Sequence, residues 1–231
     1  MENFIFRDAT INDIPFLVDT IVEAEKSGTD KLSYSTIFGL TEVEVKKYLA
    51  DMLAEEIDGC ELSISSFLIA EKNGQVAAAL SAWIEGLDNI PSAVLKGNLL
   101  NYILPAKCID RAIKINTLIR EIHIEYLPNT IQIGAGYVAN EFRGNKLLGL
   151  LNTQIIDRLT KKKPEISQVW AQIFDCNIPS IRTYEKQNFS VVMIRETLDK
   201  EILHYLPSNK KILMKKELYT KPSINHGQSG N

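Results

Sequence analysis

The stretch EFRGNKLLG, residues 141–149, joins a strand-like run to a helix-like run and decides how the fold is interpreted. The run before it is IQIGAGYVA (131–139), and the run after it is KLLGLLNTQIIDRL (146–159), which repeats apolar residues at helical spacing. The first N–H groups of a helix are unpaired and the helix dipole is positive there, so a strand that leads through Arg143-Gly144 into a helix is typical of an anion-binding turn. The stretch therefore looks like a phosphate-binding turn, although such turns usually carry more glycine, and it means little without the motifs that flank it.

Composition and charge place the chain among globular proteins with an ordinary core. It has 231 residues, of which 45% are hydrophobic. The net charge of -3 lacks the basic surplus that is usual in nucleic-acid binders, so we expect no nucleic-acid partner. The three cysteines form neither a metal-binding nor a disulfide pattern, and no apolar run is long enough to span a bilayer. Since the N-terminus also lacks a secretory pattern, we expect a cytoplasmic protein without a bound metal or a membrane partner.

Further patterns along the chain predict a mixed α/β fold in one domain over residues 1–218. Asn73-Gly74 between two apolar runs predicts a hairpin over 66–86, and T-E-V-E at Thr41 is a capping box that begins a helix. The polar end, 219–231, is predicted to be disordered. The predicted strands are 4–7, the two hairpin strands, 121–127, 130–139, 168–174, 189–198 and 210–218, and the predicted helices are 9–28, 41–58, two in the segment 88–120, 146–160 and 179–188.

Four segments in this order resemble the GCN5-related N-acetyltransferases (GNAT). The pair YVANEFRGNKLLGLLNTQIIDRL (137–159) and VWAQIFDCNIPSIRTYEKQNF (169–189) is similar to the acyl-CoA-binding half of that family. The opening FIFRDATINDIPFL (4–17) and the hairpin FLIAEKNGQVAAALSAW (67–83) resemble its N-terminal half. Relative to the shortest members, 88–120 is an insertion. The resemblance implies a mostly antiparallel sheet with splayed central strands, flanked by helices. It also implies transfer of an acetyl group from acetyl-CoA, as co-substrate, to a primary amine of a small molecule or protein.

The resemblance also implies a set of cofactor-binding residues. Backbone groups of the central strand would pair with the pantetheine arm, and one N–H would polarise the acetyl carbonyl. The N–H groups of the turn would meet the pyrophosphate. An asparagine after the next strand would bind the arm, and a tyrosine seven residues on would protonate the departing thiolate. These residues are Tyr137, Val138, Ala139, Arg143, Gly144, Asn145, Lys146, Leu147, Leu148, Gly149, Asn177 and Tyr184.

The sequence departs from the family pattern at the turn. Lys146 and Leu148 stand where relatives have Gly and Gly or Ala, although their side chains can point away from the cofactor and Lys146 adds a positive charge. Asn177 can equally cap the helix that follows it, and Tyr184 can equally be a core residue. A catalytically impaired acyl-CoA-binding or sensor module therefore remains open as an alternative to the enzyme.

The general base is a second departure. An amine with a pKa near 10.4 is charged at neutral pH, so something must take its proton. Many relatives have a glutamate where this chain has Gln132, which cannot act as a base. Glu125 is our first candidate, on one face of the predicted strand 121–127. An ordered water and a substrate amine of low pKa stay open beside it, as do Glu121, His123, Glu141 and Asp175.

The acceptor has no signature in the sequence. The helices within 9–58 and the insert 88–120 would shape its site. The apolar residues of the insert can form core, a lid or a dimer contact, so a homodimer also stays open.

Overall fold

The computed structural model describes residues 3–218, which form one mixed sheet with helices on both faces. The helices are α1 (Ile14–Lys26), α2 (Ser33–Phe38), α3 (Glu42–Ala54), α4 (Ser92–Ile103), α5 (Ala106–Arg120), α6 (Leu147–Lys162) and α7 (Ile178–Glu185). The strands are β1 (Ile5–Asp8), β2 (Phe67–Lys72), β3 (Gln75–Ile84), β4 (Ile131–Val138), β5 (Gln168–Phe174), β6 (Ser190–Glu196) and β7 (Lys210–Glu217). Short 3-10 turns occur at Ile11–Asp13, Ile64–Ser66, Leu87–Asn89, Asn140–Phe142 and Lys200–His204.

The two central strands of the sheet separate along their length. The strand order is β1-β2-β3-β4-β5-β7-β6, and β4 and β5 are the parallel pair among antiparallel neighbours. They pair only where Ile131–Ile133 faces Val169–Ala171. Beyond these residues β4 and β5 diverge and leave backbone groups facing a gap. This arrangement confirms the predicted fold class, including the splay.

Local chemistry explains why the predicted elements form. Thr41 N–H donates to Glu44 Oε2 (2.8 Å) and Glu44 N–H donates to Thr41 Oγ1 (3.3 Å), so the capping box begins α3 as expected. At the hairpin, Asn73 and Gly74 both have positive φ angles of 53° and 78°, which a two-residue turn between twisted strands requires. Pro105 separates α4 from α5.

Each face of the sheet has its own core. Helices α1 to α5 cover one face, where Leu17, Leu49, Leu53, Phe67 and Ile69 are fully buried. Helix α6 covers the other face, and its apolar stripe of Leu147, Leu151 and Ile155 packs on the central strands. The insert contributes to the first core through Leu99 and Leu104, which supports the core interpretation of its apolar residues.

A β-bulge lies in β4 beside the gap. Leu80 pairs with Gly136 and Ala82 pairs with Ile133, so β4 has one residue more than β3 in this interval. A Cβ at Gly134 would lie 2.4 Å from Ser81 Oγ. The close approach of the two strands therefore requires glycine at this position.

The strand predicted at 121–127 is wrong. Ile122 and Ile124 are buried and alternate with exposed residues, but the segment is irregular and joins no ladder. Gln172 Nε2 instead donates to the Ile124 carbonyl (2.9 Å). Since β4 and β7 already occupy both edges of β5 near its start, no edge is left there for another strand.

Other boundaries also differ from the predictions. The first predicted helix starts as a 3-10 turn, because Asp13 Oδ2 accepts from Thr10 N–H (2.8 Å), and the second helix stops at Ala54, short of residue 58. Helix α2 and the turn Lys200–His204 were not predicted. The predicted tail 219–231 lies outside the described residues. Within residues 3–218, no helix has the length and apolar character needed to cross a membrane.

Candidate functional site

Two cavities meet at the gap between β4 and β5. The outer cavity has a volume of about 1080 Å³ and is lined by β4, the turn after it, the start of α6 and the helix α7. The inner cavity has a volume of about 250 Å³ and extends between the sheet, α1 and α4. Both are lined by the same residues where they meet: Ala24, Gly136, Leu148, Asn177, Ser180 and Thr183.

The turn at the start of α6 offers unpaired N–H groups to the outer cavity. Within the described chain, no N–H from Gly144 to Gly149 donates a hydrogen bond, and the first bond of the helix runs from Leu150 N–H to Lys146 O (3.2 Å). Arg143 lines the same cavity. Orphan N–H groups and a positive dipole end fit an anionic group such as a pyrophosphate.

The two residues that replace glycines leave these N–H groups accessible. Lys146 adopts the left-handed conformation that glycine favours (φ 58°), at a cost of about 1 kcal/mol for a residue with a Cβ, and its side chain is exposed. Leu148 packs toward the sheet, where its Cδ2 would be 3.2 Å from a Cβ added to Gly136. The turn thus keeps the backbone path that the glycines would favour.

The central strand presents alternate backbone groups to the gap. Ala139 N–H donates to Ala77 O on β3 (3.0 Å), so Ala139 is bonded away from the gap. Because successive residues of a strand bond on opposite sides, the N–H of Val138 is directed into the gap, as is that of Gly136. All three strand residues implied by the resemblance lie beside β3, but only the N–H of Val138 is available, because those of Tyr137 and Ala139 are directed to β3.

Asn177 and Tyr184 both lie on the cavities. Asn177 Oδ1 accepts from Ser180 N–H (3.3 Å) and caps α7, and Asn177 also lines both cavities, so capping does not exclude contact with a ligand. Tyr184 lines the inner cavity and packs edge-on against Phe189, with ring centres 5.0 Å apart. Its hydroxyl makes no hydrogen bond with residues 3–218, and burial raises its pKa.

The inner cavity contains four charged side chains that the sequence analysis did not single out. They come from distant parts of the chain: Glu25 on α1, Glu61 in the loop before β2, Lys96 on α4 and Lys211 on β7. The aromatic side chains of Tyr34, Trp83 and Tyr126 complete the wall.

One acid and one lysine of this cavity are paired with each other. Lys96 forms an ion pair with Glu61, and Tyr126 Oη donates to the other carboxylate oxygen of Glu61 (3.3 Å). Burial opposes the charge on Lys96, but the attraction of Glu61 and of other nearby acidic groups outweighs it and raises the lysine pKa well above its usual range. Lys96 therefore stays charged on the cavity wall.

Glu25 and Lys211 lack such partners. Neither forms an ion pair with another described residue. The Ser33 hydroxyl lies beside Glu25 and acts to lower its pKa, and the Lys211 ammonium lies 5.1 Å from the ring centre of Phe174. Burial raises the pKa of Glu25 and lowers that of Lys211. In the sequence, the signal for Glu25 is its place on the apolar stripe of α1, three and four residues after Val22 and Ile21.

The structure does not bring the predicted base to the cavities. Glu125 is 78% exposed, pairs with His123 (3.4 Å) and lines neither of them. Gln132 is buried and donates to Thr130 Oγ1 (2.6 Å). The other candidates are bonded elsewhere: Glu121 to Thr197, Glu141 to Gln75, and Asp175 to Ser208.

A mixed sheet with splayed parallel central strands, and a helix N-terminus beside the gap, is the fold of the GNAT N-acetyltransferases. The chain resembles the solved structure of an N-acetyltransferase from Staphylococcus aureus Mu50 with a TM-score of 0.61, 11% identity and coverage of 92% of this chain and 100% of that one. It resembles a polyamine N-acetyltransferase of Drosophila melanogaster (TM-score 0.56, 13% identity, 94% and 100% covered). A third similar structure is a ribosomal-protein-alanine N-acetyltransferase from Brucella melitensis, with a TM-score of 0.52 and 18% identity. The match covers 93% of this chain and 99% of that one.

At these identities the likeness shows the shared fold. No protein-family model and no curated protein sequence matches the chain. The activity must therefore be argued from the site.

Proposed function

We propose that this chain is an N-acetyltransferase that transfers an acetyl group from acetyl-CoA to a primary amine by direct attack in a ternary complex. One observation carries the proposal: a cavity lined by unpaired N–H groups adjoins, at the gap in the sheet, a second cavity that contains an acid and a phenol. The first suits a phosphorylated cofactor and the second suits an amine. The comparisons support the proposal at the level of the fold.

The outer cavity would hold the cofactor. N–H groups from Gly144 to Gly149 would receive the pyrophosphate, with Lys146 and Arg143 adding positive charge. The gap beside β4 would take the pantetheine arm, whose amides can pair with a free strand edge. Val138 N–H would donate to the acetyl carbonyl oxygen and stabilise the negative charge that develops there during attack.

Glu25 is the base that we propose in place of Glu125. Glu25 lines the inner cavity. Its raised pKa brings the carboxylate closer to the pKa of an ammonium group, so proton transfer from the amine is less uphill than to an exposed glutamate. The free amine would then form the new N–C bond as the C–S bond breaks.

Tyr184 would donate its proton to the departing thiolate. Burial raises the pKa of the phenol, which makes it a weaker acid. The same burial also raises the pKa of the CoA thiol. The free energy of proton transfer from phenol to thiolate therefore stays close to its value for the two groups in water. The nitrogen loses two protons in all. The first goes to Glu25, which later releases it to solvent, and the second, lost as the amide forms, restores the Tyr184 phenol.

A small amine is the acceptor that fits. The inner cavity of about 250 Å³ has room on the order of eight water molecules, at roughly 30 Å³ each. Its walls come from α1, α4 and the sheet, which leaves it suited to a small molecule more than to a folded protein.

The test is release of free CoA thiol from acetyl-CoA in the presence of a mixed panel of small amines, with mass spectrometry of the products. The proposal expects N-acetylated product with the wild-type protein and a large loss with Tyr184→Phe. Binding of acetyl-CoA without transfer to any amine would favour the acyl-CoA-binding module instead.

A further inference from the structure

The inner cavity keeps one unpaired charge of each sign. Lys96 and Glu61 neutralise each other, and Tyr126 completes the bonding of that pair. Glu25 and Lys211 remain, on α1 and β7, and they are not in ion-pair contact with each other. Burial raises the pKa of Glu25, and the ammonium groups of Lys96 and then of Lys211 act against this effect. Both groups line the same cavity of about 250 Å³, so one ligand bound in it can contact both.

Keeping both charges in this half-enclosed cavity disfavours folding. A buried charge without a partner is costly, and here burial displaces the pKa of each group toward its neutral form. Ionisable groups with displaced pKa values in a cavity are typical of a binding site, where the ligand supplies the missing partner.

We propose that the amine acceptor is an aminocarboxylate, a small amino acid whose ammonium group faces Glu25 and whose carboxylate pairs with Lys211. This inference rests on the proposed acetyl transfer and names its substrate class. Charge-assisted hydrogen bonds at both ends would orient the amine toward the gap. The rings of Phe174, Tyr126 and Trp83 would contact the substrate side chain.

A polyamine fits this cavity less well. One cationic end could bind Glu25, but the rest of the molecule would bring a second positive charge toward Lys211 and Lys96. Repulsion in a site of low dielectric would then oppose binding. A monoamine without a carboxylate would satisfy Glu25 and leave Lys211 unpaired.

The test compares each common amino acid with the amine that remains when its carboxylate is removed. We would measure kcat/KM for acetylation of both members of each pair, using the wild-type protein and Lys211→Met. Lys210→Met is the matched control, because Lys210 is the neighbouring residue on β7, pairs with Glu196 (3.1 Å) and does not line the cavity. Lys211→Arg, which restores the charge, is the rescue variant.

For at least one pair, the wild-type protein should prefer the amino acid by about 10- to 100-fold, the range expected for a charge-assisted hydrogen bond. Lys211→Met should reduce this ratio to near one, Lys210→Met should keep it, and Lys211→Arg should restore most of it. The affinity for acetyl-CoA, measured in parallel, reports whether each variant keeps its fold.

Two results would overturn the inference and leave the proposed function standing. They are equal or better acetylation of the amines without a carboxylate, and a preference for the amino acid that Lys211→Met does not change. Transfer to neither member of any pair, by a protein that binds acetyl-CoA, would also overturn it. Failure to bind acetyl-CoA at all would remove the proposed function itself.

Discussion

The ring of Tyr184 packs edge-on against Phe189, with 5.0 Å between ring centres, and its hydroxyl is left without a hydrogen bond among the described residues. The contact fixes the ring in α7 at the edge of the inner cavity. An aromatic pair of this kind holds the ring by packing alone, so the hydroxyl can be removed without disturbing the fold.

Tyr184→Phe should therefore lower kcat about 100-fold, the lower part of the range for loss of a general acid, with little change in the affinity for acetyl-CoA. Steady-state kinetics with calorimetry of acetyl-CoA binding would separate the two effects. An unchanged kcat would assign Tyr184 to the core alone.

Glu25 should set the acidic limb of the pH profile. A base must be ionised to act, and burial raises the pKa of Glu25, so kcat/KM should fall on acidification at a pH above that of an ordinary glutamate. Glu25→Gln should lower kcat/KM about 100-fold and abolish this limb. Glu125→Gln is the control, since Glu125 is 78% exposed and should leave the profile unchanged. The reverse pattern would restore Glu125 as the base.

Glu25→Gln should also stabilise the protein at neutral pH. The folded-state pKa of Glu25 lies above its unfolded value, so its contribution to stability is complete below the unfolded pKa and is lost as the pH rises through the folded pKa. The ionised carboxylate thus opposes folding at pH 7. Glu25→Gln should raise the urea midpoint there, and the gain should vanish below about pH 4, where both side chains are neutral. A lower midpoint at pH 7 would show that Lys96 and Lys211 compensate the charge.

Gly134 should not tolerate a side chain. A Cβ there would lie 2.4 Å from Ser81 Oγ and 2.9 Å from Trp83 Cζ3, and the Trp83 ring is held against Tyr126 with 5.4 Å between ring centres. Gly134→Ala should reduce the free energy of unfolding by about 1–3 kcal/mol, as overpacking does. Gly97→Ala, in α4 with no atom within 4 Å of the new Cβ, should instead gain about 0.5–1 kcal/mol. Equal effects in chemical denaturation would contradict the tight approach of β3 and β4.

The fold was predictable because its signals are local and ordered. The Asn73-Gly74 turn, the Thr41 capping box and the strand-turn-helix around residues 131–159 each specify a short element, and all three are present. The strand predicted at 121–127 does not form. Alternation of apolar and polar residues indicates that one side of a segment is buried, but it does not show that a sheet has a free edge for the segment to pair with. Helix α2 is six residues long and too short for periodicity to reveal.

The candidate site was only partly predictable. The turn and the positions of Asn177 and Tyr184 could be placed from the resemblance, and the structure puts them on the two cavities. Glu25 and Lys211 come to line the same cavity only through the tertiary fold, since nothing in a single sequence links positions so far apart. The left-handed backbone conformation of Lys146 was likewise not evident from the sequence. It explains how the turn forms without a glycine at this position.

Titration of acetyl-CoA by calorimetry tests the central claim most directly. The wild-type protein should bind it with a Kd on the order of micromolar, and Lys146→Glu should weaken binding at least about 10-fold, because the reversed charge lies at the anion site. Lys161→Glu, the same change at the other end of α6, should bind as the wild type does. No binding at millimolar acetyl-CoA would contradict the account, as would an equal loss in both variants, since the turn at 143–149 would then hold no cofactor.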